Sequence, residues 1–104
     1  VVNGFTSPLS IDQPIQFDRF SLGIAYPNPF NSKISIHYSV DYSQNIVLEI
    51  FNANGQLCHT LFNKHVSTGT HNIHWDASHN PSGIYFIKMT SELQTQNKKI
   101  LYLK

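Results

Sequence analysis

The sequence predicts an all-β fold, an antiparallel β-sandwich of about seven short strands. Three observations carry that prediction. Apolar and polar residues alternate with a period of two in several segments. Turn residues separate those segments at spacings of roughly 8–14 residues. No window carries the 3.6-residue apolar period of an amphipathic helix. With 104 residues, 40% of them hydrophobic, the chain can build one core and one domain.

Residues 1–19 carry scattered Gly4, Pro8 and Pro14 and sustain no apolar period, so they read as a linker or tail from an upstream domain. The chain opens on Val1 rather than Met, as a piece of a longer protein would. The domain proper is expected over 20–104. A short strand is expected near Phe20–Ile24. In the segment from Lys33 to Val40, the side chains of Ile34, Ile36, Tyr38 and Val40 share one face and Ser35, His37 and Ser39 the other. Ile46 to Phe51 is a second clear strand, with Ile46, Leu48 and Ile50 together. Asn54-Gly55 is a tight-turn signal, because both residues tolerate positive φ. Gln56 to Phe62 returns from that turn, with Leu57, His59 and Leu61 on one face and Cys58, Thr60 and Phe62 on the other.

Gly69 breaks the chain, and His71 to Asp76 alternates again with Ile73 and Trp75 inward. Asp76 to Gly83 is a turn cluster, in which Asp76 is placed to cap the turn through an Asx-type bond. Gly83 to Met89 is nearly all apolar. Gln94 to Lys104 closes the domain. Seven short strands so spaced point to the immunoglobulin-like type of sandwich. The paired cysteines of antibody domains are absent, so the core holds by packing alone. Trp75, Tyr85 and Phe51 are expected to bury the largest areas, on the order of 150–250 Å² each.

Charged residues are 12% of the chain, against roughly 25% in ordinary domains. Lys and Arg number 7, Asp and Glu 6, for a net charge of +1. That balance argues against a nucleic-acid binder and against electrostatic attachment to a membrane surface. No apolar run approaches the roughly 20 residues of a spanning helix. The single cysteine, Cys58, cannot form an internal disulfide and reads as a small buried hydrophobe. His71 and His74 are three apart, on opposite faces of a strand, and His37, His59 and His65 lie on other elements. No cysteine or carboxylate completes a zinc-like set with them. No nucleophile elbow or carboxylate pair suggests catalysis.

Several motifs then occur in order. They are Tyr26-Pro-Asn-Pro-Phe-Asn31, Ile34-Ser-Ile-His-Tyr38, Val47-Leu-Glu-Ile-Phe-Asn52 with Asn54-Gly55, Gly69-Thr-His71, Trp75-Asp76, Ser82-Gly-Ile-Tyr-Phe86 and Lys98-Lys-Ile-Leu-Tyr-Leu-Lys104. Over residues 20–104 they resemble the type A C-terminal sorting domain of the type IX (Por) secretion system. They are also similar to the immunoglobulin-like domain of flagellar hook-capping proteins. The chain departs from the pattern at Ser32-Lys33 and at Val40-Asp-Tyr-Ser-Gln44, both in turns.

The resemblance implies a non-catalytic secretion and sorting signal without cofactor or metal. It implies export through the periplasm to the surface of a Bacteroidetes-like bacterium, on a larger cargo protein. The implied partners are the outer-membrane translocon, a processing protease that cuts within or just after residues 1–19, and the upstream cargo. The sorting residues it implies are Pro27, Asn28 and Pro29, then Gly83 and Tyr85, then Lys99, Ile100, Leu101, Tyr102, Leu103 and Lys104. Pro27 and Pro29 also have a structural reading, as a rigid extended lead-in to the first core strand. The terminal strand Ile100–Lys104 is expected at a sheet edge with unpaired backbone groups open to strand addition, either by a receptor or by a second copy in a homodimer. The alternative is a carbohydrate-binding or adhesion module, with Tyr26, Tyr42 and Tyr102 as candidate exposed rings.

Overall fold

Alternating sequence becomes alternating burial. The computed structural model describes residues 19–104, in which seven strands form: β1 (Ser21–Tyr26), β2 (Lys33–Val40), β3 (Gln44–Asn52), β4 (Leu57–Val66), β5 (Gly69–Asp76), β6 (Gly83–Thr90) and β7 (Thr95–Tyr102). The linker expected over 1–19 lies, but for Arg19, outside the described residues. The strands pair antiparallel in two sheets, ordered β1-β2-β5 and β4-β3-β6-β7. β2 pairs with β5 and β3 with β6, so the chain crosses between sheets after β2, β4 and β5, as in an immunoglobulin-like sandwich.

The core lies between the sheets. β2 sends in Ile34, Ile36, Tyr38 and Val40; β3 sends Ile46, Leu48 and Ile50; β6 sends Tyr85, Ile87 and Met89; β7 sends Ile100 and Tyr102. The tight turn at Asn54-Gly55 is built around Asn52. Its Oδ1 accepts from the amides of Asn54 (2.9 Å) and Gln56 (3.0 Å), while Gly55 takes φ +81°.

Two packing expectations fail. Phe51 is only half-buried, because it falls on the outer phase of β3. Its place in the core is taken by Phe30 and Tyr102, both at 2% exposure. Cys58 is exposed rather than buried. The reason is local: β4 is an edge strand whose register against β3 slips twice, passing over Leu61 and over Cys58 itself. A bulged edge residue loses the two-residue alternation on which the buried reading rests.

Candidate functional site

The three groups of residues singled out in the sequence meet at one strand. β7 lies at the end of its sheet, with β6 on its inner edge. There Gly83 faces Tyr102, and Tyr85 faces Ile100. On the outer edge lies the segment Asn28–Phe30. Phe30 makes a single parallel bridge to Tyr102, donating its amide to the Leu101 carbonyl and accepting from the Leu103 amide, each at 2.9 Å. Asn28 extends the contact with its side chain. Its Oδ1 accepts from the Leu101 amide at 3.0 Å, and its Nδ2 donates, over a longer 3.4 Å, to the Lys99 carbonyl. One carboxamide thus does what a peptide unit of a neighbouring strand would do. Pro27 and Pro29, flanking Asn28, offer no amide hydrogen. The Tyr26-Pro27 and Asn28-Pro29 peptide bonds are both cis.

The outer edge of the terminal strand is therefore filled, contrary to the expectation of open backbone groups between Ile100 and Lys104. Further along β7, Gln96 repeats the device. Its Oε1 accepts from the Leu22 amide and its Nε2 donates to the Phe20 carbonyl, both at 2.8 Å. Beyond β7, the Lys104 amide donates to Ser82 Oγ at 3.0 Å.

Burial divides the site residues. Pro27, Asn28, Pro29, Lys99, Leu103 and Lys104 are exposed, Gly83 and Leu101 half-buried, and Tyr85, Ile100 and Tyr102 buried. Below the clamp runs an aromatic chain. Phe30 stacks on Tyr102 at 5.1 Å, tilts against Trp75 at 5.9 Å, and Trp75 meets Tyr85 edge-on at 5.3 Å. The Tyr85 hydroxyl donates to the Pro81 carbonyl at 2.6 Å. Burial, with smaller contributions from Cys58 and Tyr102, raises the Tyr85 pKa above its ordinary value. Gly83 takes φ +152°, a conformation few other residues adopt. Gln96 was not singled out by sequence, and Phe30 only as part of the Tyr26–Asn31 motif, without a role of its own. Phe30 lies between strands, where periodicity says nothing, and Gln96 acts through its side chain alone.

Little here could carry other chemistry. Asp76 accepts from the Ser78 amide at 2.9 Å, the Asx-type turn expected of it, and the Ser78 amide and hydroxyl hold its carboxyl below its ordinary pKa. His59, His74 and His79 line a cleft of about 340 Å³ beside Cys58 and Asp76. No group of three His, Cys, Asp or Glu among the described residues is placed to hold a metal ion. Of the aromatic rings considered for sugar stacking, Tyr102 is buried. Tyr26 and Tyr42 are half-exposed, at opposite ends of the β1–β2 pair.

The profile of the secretion system C-terminal sorting domain matches residues 24–103. The chain belongs to this family. A sorting domain of this kind is a C-terminal signal for type IX secretion, and its family is one of signals rather than catalysts. The sorting domain is similar in fold to a crystal structure of dimeric latent PorU from Porphyromonas gingivalis. The two are 18% identical with a TM-score of 0.60, over 92% of this chain and 10% of that one. The sorting domain thus spans about a tenth of that chain's length. No curated protein matches it.

Proposed function

We propose that the outer-membrane type IX machinery recognises this domain by the outward side chains of its terminal strand, Lys99, Leu101, Leu103 and Lys104. Asn28 and Phe30 on one side of that strand, and Gly83 and Tyr85 on the other, hold it in shape. The observation that carries the reading is that convergence. A strand bonded along both edges presents a fixed row of side chains, whatever cargo precedes it. Pro27 and Pro29 stiffen the segment that makes the outer clamp. The cargo then goes to the cell surface or the medium, and a processing protease removes the domain upstream of β1. The domain itself catalyses nothing and needs no cofactor.

The test fuses residues 1–104 to a periplasmic fluorescent protein in a host that has the machinery. Deleting residues 98–104 is expected to abolish export. That deletion also removes the core residues Ile100 and Tyr102, so a second variant, Lys99→Ser/Leu103→Ser/Lys104→Ser, leaves the core in place and is expected to reduce export strongly. Unchanged export by both would overturn the proposal.

A further inference from the structure

The two outer faces of the sandwich differ in chemistry. On the three-stranded sheet, cross-strand neighbours on the outside are Ser35 with His74, His37 with Asn72 and Ser39 with Thr70, and Ser35 Oγ is bonded to Asn72 Oδ1 at 2.9 Å. Along β2 and β5 this outside is polar, with Ile24 exposed and Tyr26 stacked over His37 on the edge strand β1. On the four-stranded sheet the corresponding row is Leu57, Phe51, Phe86 and Lys99, side by side on four strands. Ile84 pairs with Leu101 in the next row. Leu57 is 53% exposed and Ile84 40%, with Phe51, Phe86 and Leu101 half-buried. Ile24, Tyr42 and Leu93 are exposed elsewhere on the domain, but a contiguous apolar patch across four strands marks a contact surface. Between the rings lies a shallow depression of about 460 Å³, lined by Phe51, Gly55, Phe86, Lys88 and Asn97.

The charge around the patch selects its occupant. Lys88 on β6 and Lys99 on β7 lie on the outward phase beside the patch, whereas Lys98 shares the inward phase of Ile100 and Tyr102. Lys88 Nζ sits 5.5 Å from the centre of the Phe51 ring, at the rim of the depression. Glu49 is the one carboxylate in the adjoining row. A second copy would bring like charges together, and a basic partner would be repelled. Between Lys99 and Leu103 the outer edge of β7 is filled, so there side chains are what a partner meets.

We infer that this face is a docking site for an acidic segment of a partner protein, one that seats a large apolar side chain between Phe51 and Phe86 and directs flanking carboxylates to Lys88 and Lys99. The inference rests on the sorting reading above and names the partner chemistry for it. The partner belongs to the export machinery, and the face extends the terminal strand's outward row through Leu101 to Ile84.

The test uses the same reporter fusion with Phe86→Ser and Lys88→Glu, neither of which alters the terminal strand. Folding is checked by thermal melting followed through the buried Trp75. Each folded variant is expected to lower exported reporter about tenfold, the equivalent of about 1.4 kcal/mol of contact. Lys88→Arg is expected to restore it, and Ser35→Glu on the opposite face to change nothing. Normal export by folded Phe86→Ser and Lys88→Glu, while the 98–104 deletion still fails, would overturn the docking site and leave the sorting reading intact. Normal export by the deletion would instead overturn the sorting reading. Sedimentation showing a dimer that Phe86→Ser dissolves would assign the face to a second copy and also overturn the inference.

Discussion

Asn28 and Leu101 stand 73 positions apart and are joined by a hydrogen bond from the Leu101 amide to Asn28 Oδ1 at 3.0 Å. The bond closes the domain, since it ties the segment before the first long strand to the last strand. A terminal strand is ordinarily the first to fray, and its outer edge is ordinarily an invitation to aggregation. Here a side-chain amide and the Phe30 backbone occupy that edge. Asn28→Ala removes both side-chain bonds. It is expected to cost about 1 kcal/mol, a drop of about 5 °C in Tm for a domain of this size. Amide exchange at Leu101 should quicken more than at Ile87, in the sheet centre. Equal quickening at both would mean that the clamp is no local latch.

Phe30 anchors the same segment from below. Its ring packs against Tyr102 and Trp75 and is almost wholly buried. Phe30→Ala leaves a hole at the centre of the aromatic chain and is expected to cost about 3–5 kcal/mol. Phe30→Leu keeps much of the volume and should cost markedly less. Urea unfolding of the two variants gives the comparison. A loss of under about 1 kcal/mol for Phe30→Ala would show that the segment contributes no packing.

Strand by strand, the sandwich was legible wherever one face is buried and the other wet. β2 follows its sequence alternation residue for residue, and β3, β5 and β6 differ from expectation only at their ends. Legibility fails at β4, where bulges at Leu61 and Cys58 break the period and leave the cysteine exposed. For Phe51 the period itself was legible: the alternation that turns Ile46, Leu48 and Ile50 inward turns Phe51 outward, and aromatic size alone is no guide to burial. The motifs of the site were visible as residues, but their meeting was not. Asn28 and Leu101 are brought together by the closure of two sheets, and no local pattern encodes a contact between a loop and a strand so distant in sequence. The clamp of Gln96 on β1 was illegible for the same reason.

Gly83 opens β6 with φ +152°, and an added Cβ there would meet nothing within 4 Å. Any cost of Gly83→Ala is therefore backbone conformation rather than collision. It is expected at about 1–3 kcal/mol. Tyr85 should keep its burial in the variant, so near-ultraviolet circular dichroism of the folded form should match the parent. A variant as stable as the parent would show that β6 can start with an ordinary φ.

Asp76 confers acid sensitivity. Its carboxyl is held below its ordinary value first by the Ser78 amide, then by the Ser78 hydroxyl, with smaller help from the charges of Lys33 and His79. The folded pKa lies below the unfolded one. The contribution to stability is therefore present above about pH 4, the unfolded value, and is lost as pH falls through the folded value. Asp76→Asn keeps an acceptor for the Ser78 amide and removes the titration. Its Tm should fall less steeply than the parent's between pH 5 and pH 2. Parallel profiles would assign the acid sensitivity to other carboxylates.

Tyr85 sets the opposite limit. Its hydroxyl donates to the Pro81 carbonyl at 2.6 Å, and burial raises its pKa, as burial also raises that of Tyr38. In the unfolded chain a tyrosine ionises near pH 10. Above that pH the unfolded state releases the proton while the folded state still holds it. Stability is thus fully present below about pH 10 and is lost as pH rises toward the folded value. Tyr85→Phe has two effects of opposite direction. Near neutral pH it removes the bond to Pro81, at a cost of about 1 kcal/mol. Above pH 10 it removes one of the groups whose ionisation favours unfolding, while Tyr38 still titrates. The stability gap between parent and variant should therefore be widest at pH 8 and should narrow by pH 11, as urea unfolding at the two pH values would measure. A gap of constant size would mean that Tyr85 keeps its proton no better folded than unfolded, and that the ring is less enclosed by Trp75 than the packing indicates.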